Sequence, residues 1–210
     1  FTGSKSCHSY ELSRNLESVR IEGFPSATAC PASPAAYQSL LLPTPALGST
    51  VTQRKVSTQW HPELRLQTKQ VQPNSLTTWV YHGQPDPTAG NAIANCAPAQ
   101  ALLPDGKPIA VLCKQIEQAT TDVTGSSGFA ATLAPNIPAR VWTYTYNERG
   151  QVLSADGPRT DNGIIDRITY TYHPATTSEV MQGDLASITN AAGQTTTFST
   201  YDRHGHVLQS

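Results

Sequence analysis

Charge of either sign is scarce in this chain. Only 14% of its 210 residues are charged, and 14 lysines and arginines stand against 15 aspartates and glutamates. Without an excess of positive charge there is no basic surface to hold a phosphate backbone, so we expect no nucleic-acid partner. Long apolar runs are also absent, and the leucine run at residues 40–42 is closed by Pro43 and Pro45. A membrane-spanning helix needs roughly 20 apolar residues, so we expect no membrane span.

Signals for targeting and catalysis are missing as well. The chain opens on Phe1 without an initiator Met, a basic n-region or an apolar h-region, and we interpret it as an internal piece of a longer polypeptide. It contains no Gly-x-Ser-x-Gly, no phosphate-binding loop and no His-Glu-x-x-His. Its glutamates show no spacing that identifies a catalytic pair. We therefore predict a protein that is not an enzyme and has no cofactor, with a hydrolase as the competing hypothesis.

Two groups of side chains are the remaining candidates for a metal site. His204 and His206 would project from one face of an extended strand, where they could share a metal, although solvated surface histidines are the competing interpretation. Asp156, Asp161 and Asp166 recur every five residues, but the Asp-Gly and Asn-Gly pairs among them favour turns over a cation-binding loop. The sequence therefore predicts no metal site.

The four cysteines fall into two local pairs, Cys7 with Cys30 and Cys96 with Cys113, although four cysteines allow three connectivities. Each loop closed in this way would contribute about 3 kcal/mol in the chain-entropy account of disulfide stabilisation. A structural zinc site would need the close Cys-x2-4-Cys spacing, which is absent. We predict disulfides and a secreted or cell-surface location; four buried reduced thiols are the alternative.

The residue pattern divides the chain into four predicted segments. These are an irregular N-terminal segment packed on or entering a sheet (1–50), β-hairpins (51–83), a loop-rich insertion with short strands (84–139) and repeated hairpins (140–210). In the first segment we expect a short helical turn at 10–15, a strand at 17–21 and a proline-rich loop at 25–45. In the second, His61 is expected to be a packed strand end with a hydrogen-bonded imidazole.

The C-terminal third repeats itself. Residues 146–153, Tyr-Asn-Glu-Arg-Gly-Gln-Val-Leu, have the same order of residue types as residues 201–208, Tyr-Asp-Arg-His-Gly-His-Val-Leu. In each copy the aromatic ends a strand, Asn or Asp hydrogen-bonds the following backbone, and Gly takes a positive φ. A degraded copy at 169–173 has His in place of Asp and reaches its glycine only at 183, and residues 79–83 form a further copy. The predicted repeat-motif residues are Tyr146, Asn147, Gly150, Leu153, Tyr172, Gly183, Tyr201, Asp202, Gly205 and Leu208.

The pattern Tyr-Asp-x-x-Gly-x-Val/Leu-Leu, set in a Gly-x-Leu-x-Ser-x-Thr... Gly-x-Thr-Thr-x-x-x-x-Tyr-Asp frame, resembles the YD repeat of the bacterial RHS family. The resemblance is strongest over residues 140–210, extends over 50–83, and is weaker over 1–50 and the insertion between Cys96 and Cys113. It implies an all-β fold in which consecutive antiparallel β-hairpins form a curved, spiralling sheet with irregular, disulfide-tied loops.

The resemblance also implies a function. In this family the hairpins pair edge to edge into a hollow cocoon that commonly encloses a toxic domain of the same polypeptide. We therefore expect a structural wall segment whose partners are the rest of the polypeptide and an enclosed toxin or effector domain. The alternative is a cell-surface or extracellular scaffold for adhesion, matrix or filament formation, in which the same hairpins self-associate through sheet edges.

Overall fold

The computed structural model describes residues 3–46, 48, 52–159 and 166–210. Besides the six-residue helix α1 (Pro34–Ser39) and two single-turn 3-10 helices (Pro87–Ala89 and Gly128–Ala130), the regular structure of these residues consists of strands. The strands are β1 (Ser4–Glu11), β2 (Leu16–Pro25), β3 (Arg54–Trp60), β4 (Gln67–Gln72), β5 (Ser75–Tyr81), β6 (Pro85–Asp86), β7 (Ala92–Ile93), β8 (Leu112–Ala119), β9 (Arg140–Tyr146), β10 (Val152–Asp156), β11 (Ile168–Tyr172), β12 (Leu185–Thr189), β13 (Thr195–Thr197), β14 (Thr200–Tyr201) and β15 (Val207–Gln209).

Neighbours in sequence are neighbours in the sheet almost throughout. Eleven strands form an open antiparallel sheet in the order β1-β2-β3-β4-β5-β8-β9-β10-β11-β12-β13, and β6-β7 and β14-β15 form two separate ribbons. The prediction of an all-β fold of antiparallel hairpins is confirmed. None of the described helices is long and apolar enough to cross a membrane. The chain divides into two compact units, residues 1–79 with 116–140, and residues 80–115 with 141–210.

The first unit has a well-buried core at its N-terminal end. The side chains of Cys7, Val19, Ile21, Phe24, Tyr37 and Leu42 form one cluster, and the Cys7–Cys30 disulfide ties the proline-rich loop to β1. Helix α1 starts there because Ser33 Oγ accepts a hydrogen bond from Ala36 N at 3.2 Å and Pro34 occupies the first helical position.

Residues 1–50 differ from two expectations. The segment enters the sheet and β2 contains the predicted strand 17–21, but the segment is not irregular throughout, because it supplies β1 and β2, which are paired over their length. The expected helical turn at residues 10–15 is instead the end of β1 and the reversal into β2, with Asn15 at a φ of 55°. Asparagine tolerates this left-handed conformation better than most residues, which suits it to a hairpin turn.

Lys55 lies at the centre of the first unit with no exposed surface. Its ammonium donates hydrogen bonds to the carbonyls of Gln38 at 2.6 Å, Leu40 at 3.1 Å and Ser126 at 3.0 Å. Burial lowers the pKa of Lys55, and the Asp122 carboxylate opposes that shift. The side chain thus holds two loops against strand β3, a position that sequence patterning does not give to a lysine.

The strands of the second unit have two different faces. No described residue of β9 to β13 is fully buried, and the less exposed positions in β9 and β11 are aromatic or aliphatic. The other face carries a row of hydroxyls in register across five strands: Thr145, Ser154, Thr169, Thr189 and Thr195. Neighbouring hydroxyls bond to each other, as between Thr145 and Ser154 at 2.6 Å. These strands form a thin layer with one polar face and one aromatic face.

The insertion between β5 and β8 carries the β6-β7 ribbon and is closed by the Cys96–Cys113 disulfide, so both predicted cysteine pairs are formed. The ion pair between Lys114 and the buried Asp86 ties the ribbon to β8. In the last repeat, the Thr-rich stretch that leads to Tyr201 is divided between two strand pairs. Residues 195–197 pair with β12, whereas Thr200 and Tyr201 pair with β15.

Candidate functional site: repeat turns and aromatic links

Three five-residue turns in the second unit have the same geometry, and we call them the repeat turns: residues 147–151, 190–194 and 202–206. In each, the first residue donates its N–H to the carbonyl of the fifth, at 3.0 Å for Asn147 and Asn190 and 2.9 Å for Asp202. The N–H of the fourth residue, a glycine, returns to the first carbonyl at 2.9 to 3.1 Å. This is a type I turn followed by a left-handed glycine.

The side chain of the first residue holds each repeat turn in place. Its Oδ1 accepts hydrogen bonds from the N–H groups of the third and fifth residues at 2.8 to 3.0 Å in all three turns. The side-chain oxygen of Asn or Asp at this position reaches both donors, so the two residue types serve equally.

A second side-chain contact spans the first and fifth residues. Asn147 Nδ2 donates to Gln151 Oε1 at 2.8 Å, Asn190 Nδ2 donates to Gln194 Oε1 at 2.9 Å, and Asp202 Oδ2 lies 2.9 Å from His206 Nδ1. Hydrogen bonds from the backbone N–H and side chain of His206 lower the pKa of Asp202.

The glycine is required by backbone conformation. Gly150, Gly193 and Gly205 have φ values of 77°, 80° and 81°. No atom lies within 4 Å of a Cβ built on Gly193 or Gly205, so the demand there is conformational and not steric.

Two further copies keep the repeat-turn frame while carrying insertions. His173 N donates to Asp184 O at 2.8 Å, and Gly183 N returns to His173 O at 2.9 Å. Gly183 follows His173 by ten positions, whereas Gly150 follows Asn147 by three. At residues 79–83, His82 N donates to Val111 O at 2.9 Å, so the whole insertion occupies the turn.

An aromatic residue precedes two of the repeat turns, at Asn147 and Asp202, and the turn copy at His173, and each bonds to the hairpin before it; the repeat turn at Asn190 follows Thr189. Tyr146 Oη donates to Leu112 O at 2.8 Å, Tyr172 Oη to Val152 O at 2.8 Å, and Tyr201 Oη to Leu185 O at 2.6 Å. Each acceptor is the first residue of the strand that follows the preceding turn. We call these three hydrogen bonds the aromatic links.

The aromatic links join consecutive hairpins of the second unit into one series. Val152, the acceptor from Tyr172, is itself paired with Tyr146, and Leu185, the acceptor from Tyr201, is paired with Tyr172. A register shift occurs beside each of these pairs, which allows the ring to cross to the neighbouring hairpin. Burial raises the pKa of Tyr146 to about 12 and also raises the pKa values of Tyr172 and Tyr201.

The first unit contains the same arrangement with different residues. Trp60 Nε1 donates to Glu17 O at 2.9 Å, and Glu17 is the residue paired with Tyr10. His61, which follows Trp60, is 6% exposed, and its Nδ1 accepts hydrogen bonds from Glu63 N at 3.2 Å and Leu64 N at 3.1 Å. The prediction of a packed, hydrogen-bonded His61 is confirmed. Its Nδ1 accepts from two backbone N–H groups of the turn, as the Oδ1 of Asn147 does.

The remaining predicted residues have clear places. Leu153 and Leu208 lie in β10 and β15 and are 38% and 64% exposed. His204 and His206 both lie in the repeat turn and not in a strand, so the premise of an extended strand is wrong, although their ring centroids are 6.3 Å apart; His204 Nε2 is 3.2 Å from Arg203 Nε. Asp161 is outside the described residues. Asp156 binds Arg167 at 2.7 Å, and Asp166 Oδ2 accepts from Arg159 N at 3.2 Å, which fits turn chemistry.

The turns and links define a class of protein: a β-hairpin repeat protein in which each hairpin is hydrogen-bonded through an aromatic side chain to the one before. Residues 181–210 match the RHS Repeat family model. They contain Tyr201 and the last two repeat turns. This match supports assignment of the chain to the RHS/YD-repeat proteins, although it covers one short repeat. No curated protein sequence matches the chain.

Sequence reasoning missed three of these features. The Asn190 turn was not recognised as a copy of the Asn147 turn, although Asn-Ala-Ala-Gly-Gln and Asn-Glu-Arg-Gly-Gln share Asn, Gly and Gln at three of their five positions. The aromatic links were missed because their acceptors are backbone carbonyls with no sequence signature. The proximity of His82 to Cys96 and Cys113 was missed because it depends on the path of the insertion.

Proposed function

We propose that this chain is a wall segment of an RHS-repeat shell that encloses or presents a toxin or effector domain of the same polypeptide. RHS repeats are structural repeats and not a catalytic family, and they are associated with cell-surface roles. The observation that carries the proposal is the recurrence of the aromatic link at Tyr146, Tyr172 and Tyr201. A link that needs only an aromatic side chain and a backbone carbonyl can be repeated indefinitely, which is what a long wall requires.

The two-faced layer supports the same proposal. Tyr144, Tyr170 and Tyr172 line one open cavity on the aromatic face, together with Val152, Ala155 and Leu185. The row of threonine and serine hydroxyls occupies the opposite face. A shell needs a solvated outside and an inside able to contact an enclosed domain, and aromatic side chains suit such contacts.

The disulfides fit an extracytoplasmic location for this shell. Both pairs close surface loops onto strands, and such bonds persist in oxidising compartments. We propose that they protect the loops of a secreted or cell-surface particle.

Imaging and proteolysis of the full polypeptide that carries this chain test the proposal. We expect closed particles with internal density and an enclosed domain that resists protease. In the variant Tyr146→Phe/Tyr172→Phe/Tyr201→Phe, we expect the enclosed domain to be cleaved sooner. The matched control is Tyr144→Phe/Tyr170→Phe, which removes hydroxyls from the same strands without touching an aromatic link.

A scaffold for adhesion or filaments is the second candidate, and the open sheet favours it. Strands β1 and β13 end the strand order, and a terminal strand can template another chain. Filaments or extended arrays without internal density in the same images would establish the scaffold and exclude the shell.

A further inference from the structure

His82, Cys96 and Cys113 lie together in the second unit. One ring nitrogen and the two sulfurs all fall within 4.8 Å of one another. His82 and Cys113 are buried, and Cys96 is half-buried. The two sulfurs form a disulfide, and sulfur coordinates cations well only as thiolate. The proposed shell makes no use of these three side chains as metal ligands.

Backbone hydrogen bonds hold all three residues independently of the disulfide. His82 N donates to Val111 O at 2.9 Å, and Tyr146 N donates to Cys96 O at 2.8 Å. Cys113 is the second residue of strand β8. Cys96 N donates to His82 Nδ1 at 3.3 Å, which turns the lone pair of that nitrogen toward Cys96. Breaking the sulfur–sulfur bond therefore leaves both sulfurs close to the imidazole.

We propose that reduction of the Cys96–Cys113 disulfide creates a binding site for a thiophilic divalent cation such as Zn²⁺, with His82, Cys96 and Cys113 as ligands. A dithiol supplies two electrons and two protons: the sulfur–sulfur bond breaks, two cysteine thiols form, and the dithiol is oxidised to its own disulfide. The cation then displaces the two thiol protons, which pass to the buffer, and binds two thiolates and a neutral imidazole.

The geometry suits this ligand set. Zinc–sulfur bonds of about 2.3 Å and zinc–nitrogen bonds of about 2.0 Å place the ligand atoms of a tetrahedral site within roughly 4 Å of one another. The two sulfurs, bonded to each other in the disulfide, separate to about 4 Å once their bond is reduced, and the imidazole nitrogen already lies within 4.8 Å of both. Nδ1, if it is the ligating nitrogen, exchanges the hydrogen bond from Cys96 N for the metal.

Solvent can reach the site. A cavity of about 390 Å³ is lined by His82, Gly83, Ala94, Leu102 and Pro108, among others. The cavity gives a cation access to the His82 imidazole, and three protein ligands leave one tetrahedral position for water.

The insertion between β5 and β8 can therefore be held closed in two ways, by the cation or by the disulfide. Where thiols stay reduced, the cation links Cys96, Cys113 and His82. Where conditions are oxidising, the Cys96–Cys113 disulfide replaces the cation. The same loop is thereby held closed on both sides of an export step.

The other disulfide provides a control inside the same chain. Among the described residues, no histidine or carboxylate forms such a group with Cys7 and Cys30. His8, although adjacent to Cys7, has its Nδ1 2.6 Å from Glu17 Oε2. The variant Cys7→Ser/Cys30→Ser keeps the proposed site, and Cys96→Ser/Cys113→Ser removes it.

The experiment titrates Co²⁺ into the 210-residue chain after reduction with dithiothreitol and anaerobic desalting. We expect one equivalent to bind with the thiolate-to-cobalt absorption of a tetrahedral site, in the wild-type chain and in Cys7→Ser/Cys30→Ser. Zn²⁺ should displace the cobalt. The His82→Gln variant should bind at least about tenfold more weakly.

Three outcomes would overturn the proposal. They are equal cobalt binding in Cys96→Ser/Cys113→Ser, unchanged affinity in His82→Gln, and no binding by a reduced chain whose far-ultraviolet circular dichroism is unchanged. If reduction abolishes the β-sheet spectrum, Zn²⁺ should restore it in Cys7→Ser/Cys30→Ser. Failure to restore it would equally refute the site. The outcome is independent of whether the polypeptide forms a shell.

Discussion

Replacing Tyr146 by Phe removes one oxygen atom and with it one aromatic link. The hydroxyl donates to Leu112 O at 2.8 Å, and the ring is partly buried. The ring itself remains, so packing changes little. The substitution therefore measures the contribution of the link and not of the aromatic side chain.

The expected loss of unfolding free energy is about 1–2 kcal/mol. A protein hydrogen bond contributes about 1 kcal/mol net, and a carbonyl that loses its donor away from water adds part of a desolvation cost. Leu112 is half-buried, so water compensates for some of that cost. For a chain of this size, a loss of 1 kcal/mol lowers the melting temperature by roughly 2–4 °C.

Alkaline pH provides a second measurement on the same hydroxyl. Burial raises the pKa of Tyr146 to about 12, whereas an unfolded tyrosine titrates near 10. The folded state therefore binds more protons between these values. The stabilisation is fully present below pH of about 10 and is lost as the pH rises through about 12. Two pKa units correspond to about 2.7 kcal/mol, and partial exposure of the ring reduces this to about 1–2 kcal/mol.

Urea unfolding followed by circular dichroism measures both effects, with hydrogen exchange to locate the loss in β8 and β9. The matched control is Tyr144→Phe, two residues earlier on the same face. The hydroxyl of Tyr144 makes no hydrogen bond to the described part of the chain. Equal losses in Tyr144→Phe and Tyr146→Phe would refute the aromatic link as a stabilising contact. An unchanged alkaline dependence in Tyr146→Phe would refute the buried Tyr146 hydroxyl as the source of that dependence.

Three further predictions concern turns. Gly193→Ala should lower the unfolding free energy by about 1 kcal/mol and Gly193→Asn by less, because only the positive φ opposes a side chain there; equal losses would contradict this. The lowered pKa of Asp202 means that its contribution is present above the unfolded pKa and is lost as the pH falls through the folded value. Asp202→Asn should therefore unfold with less acid dependence than wild type in urea titrations at pH 3 and pH 6, and an unchanged dependence would contradict it. Gly125→Ala should destabilise by more than about 2 kcal/mol, because its Cβ would lie 2.1 Å from Lys55 O at a φ of +74°; a loss as small as that of Gly193→Ala would show that the loop adjusts.

Local chemistry explains what could be predicted from the sequence. The turn at Asn147 depends on the Asn147 side chain and on a glycine three residues later, and both residue types can be read directly from the sequence. The two cysteine pairs close short loops, so the nearest partner was the correct one in each case. Interactions within about five residues leave a sequence signature because few residue types satisfy them.

Contacts across the sheet left no such signature. Lys55 is buried because the carbonyls of Gln38, Leu40 and Ser126 converge on it, and their positions depend on two loops distant in sequence. Strands β1 and β2 were not predicted in full because their apolar positions are interrupted by register shifts, which disrupt the period-2 pattern.

The repeat is better defined by the hydrogen bond made at each of its positions than by the residue type found there. Its first turn position must accept from backbone N–H groups, and Asn147, Asp202 and His61 all do so. Its aromatic position must donate across to the preceding hairpin, and Trp60 does this as well as Tyr146 does. The RHS Repeat family model matches residues 181–210, which include Tyr201, Asp202 and Gly205. Copies that use Trp and His fill the same roles and escape it, so the repeated architecture extends over more of the chain than the matched residues.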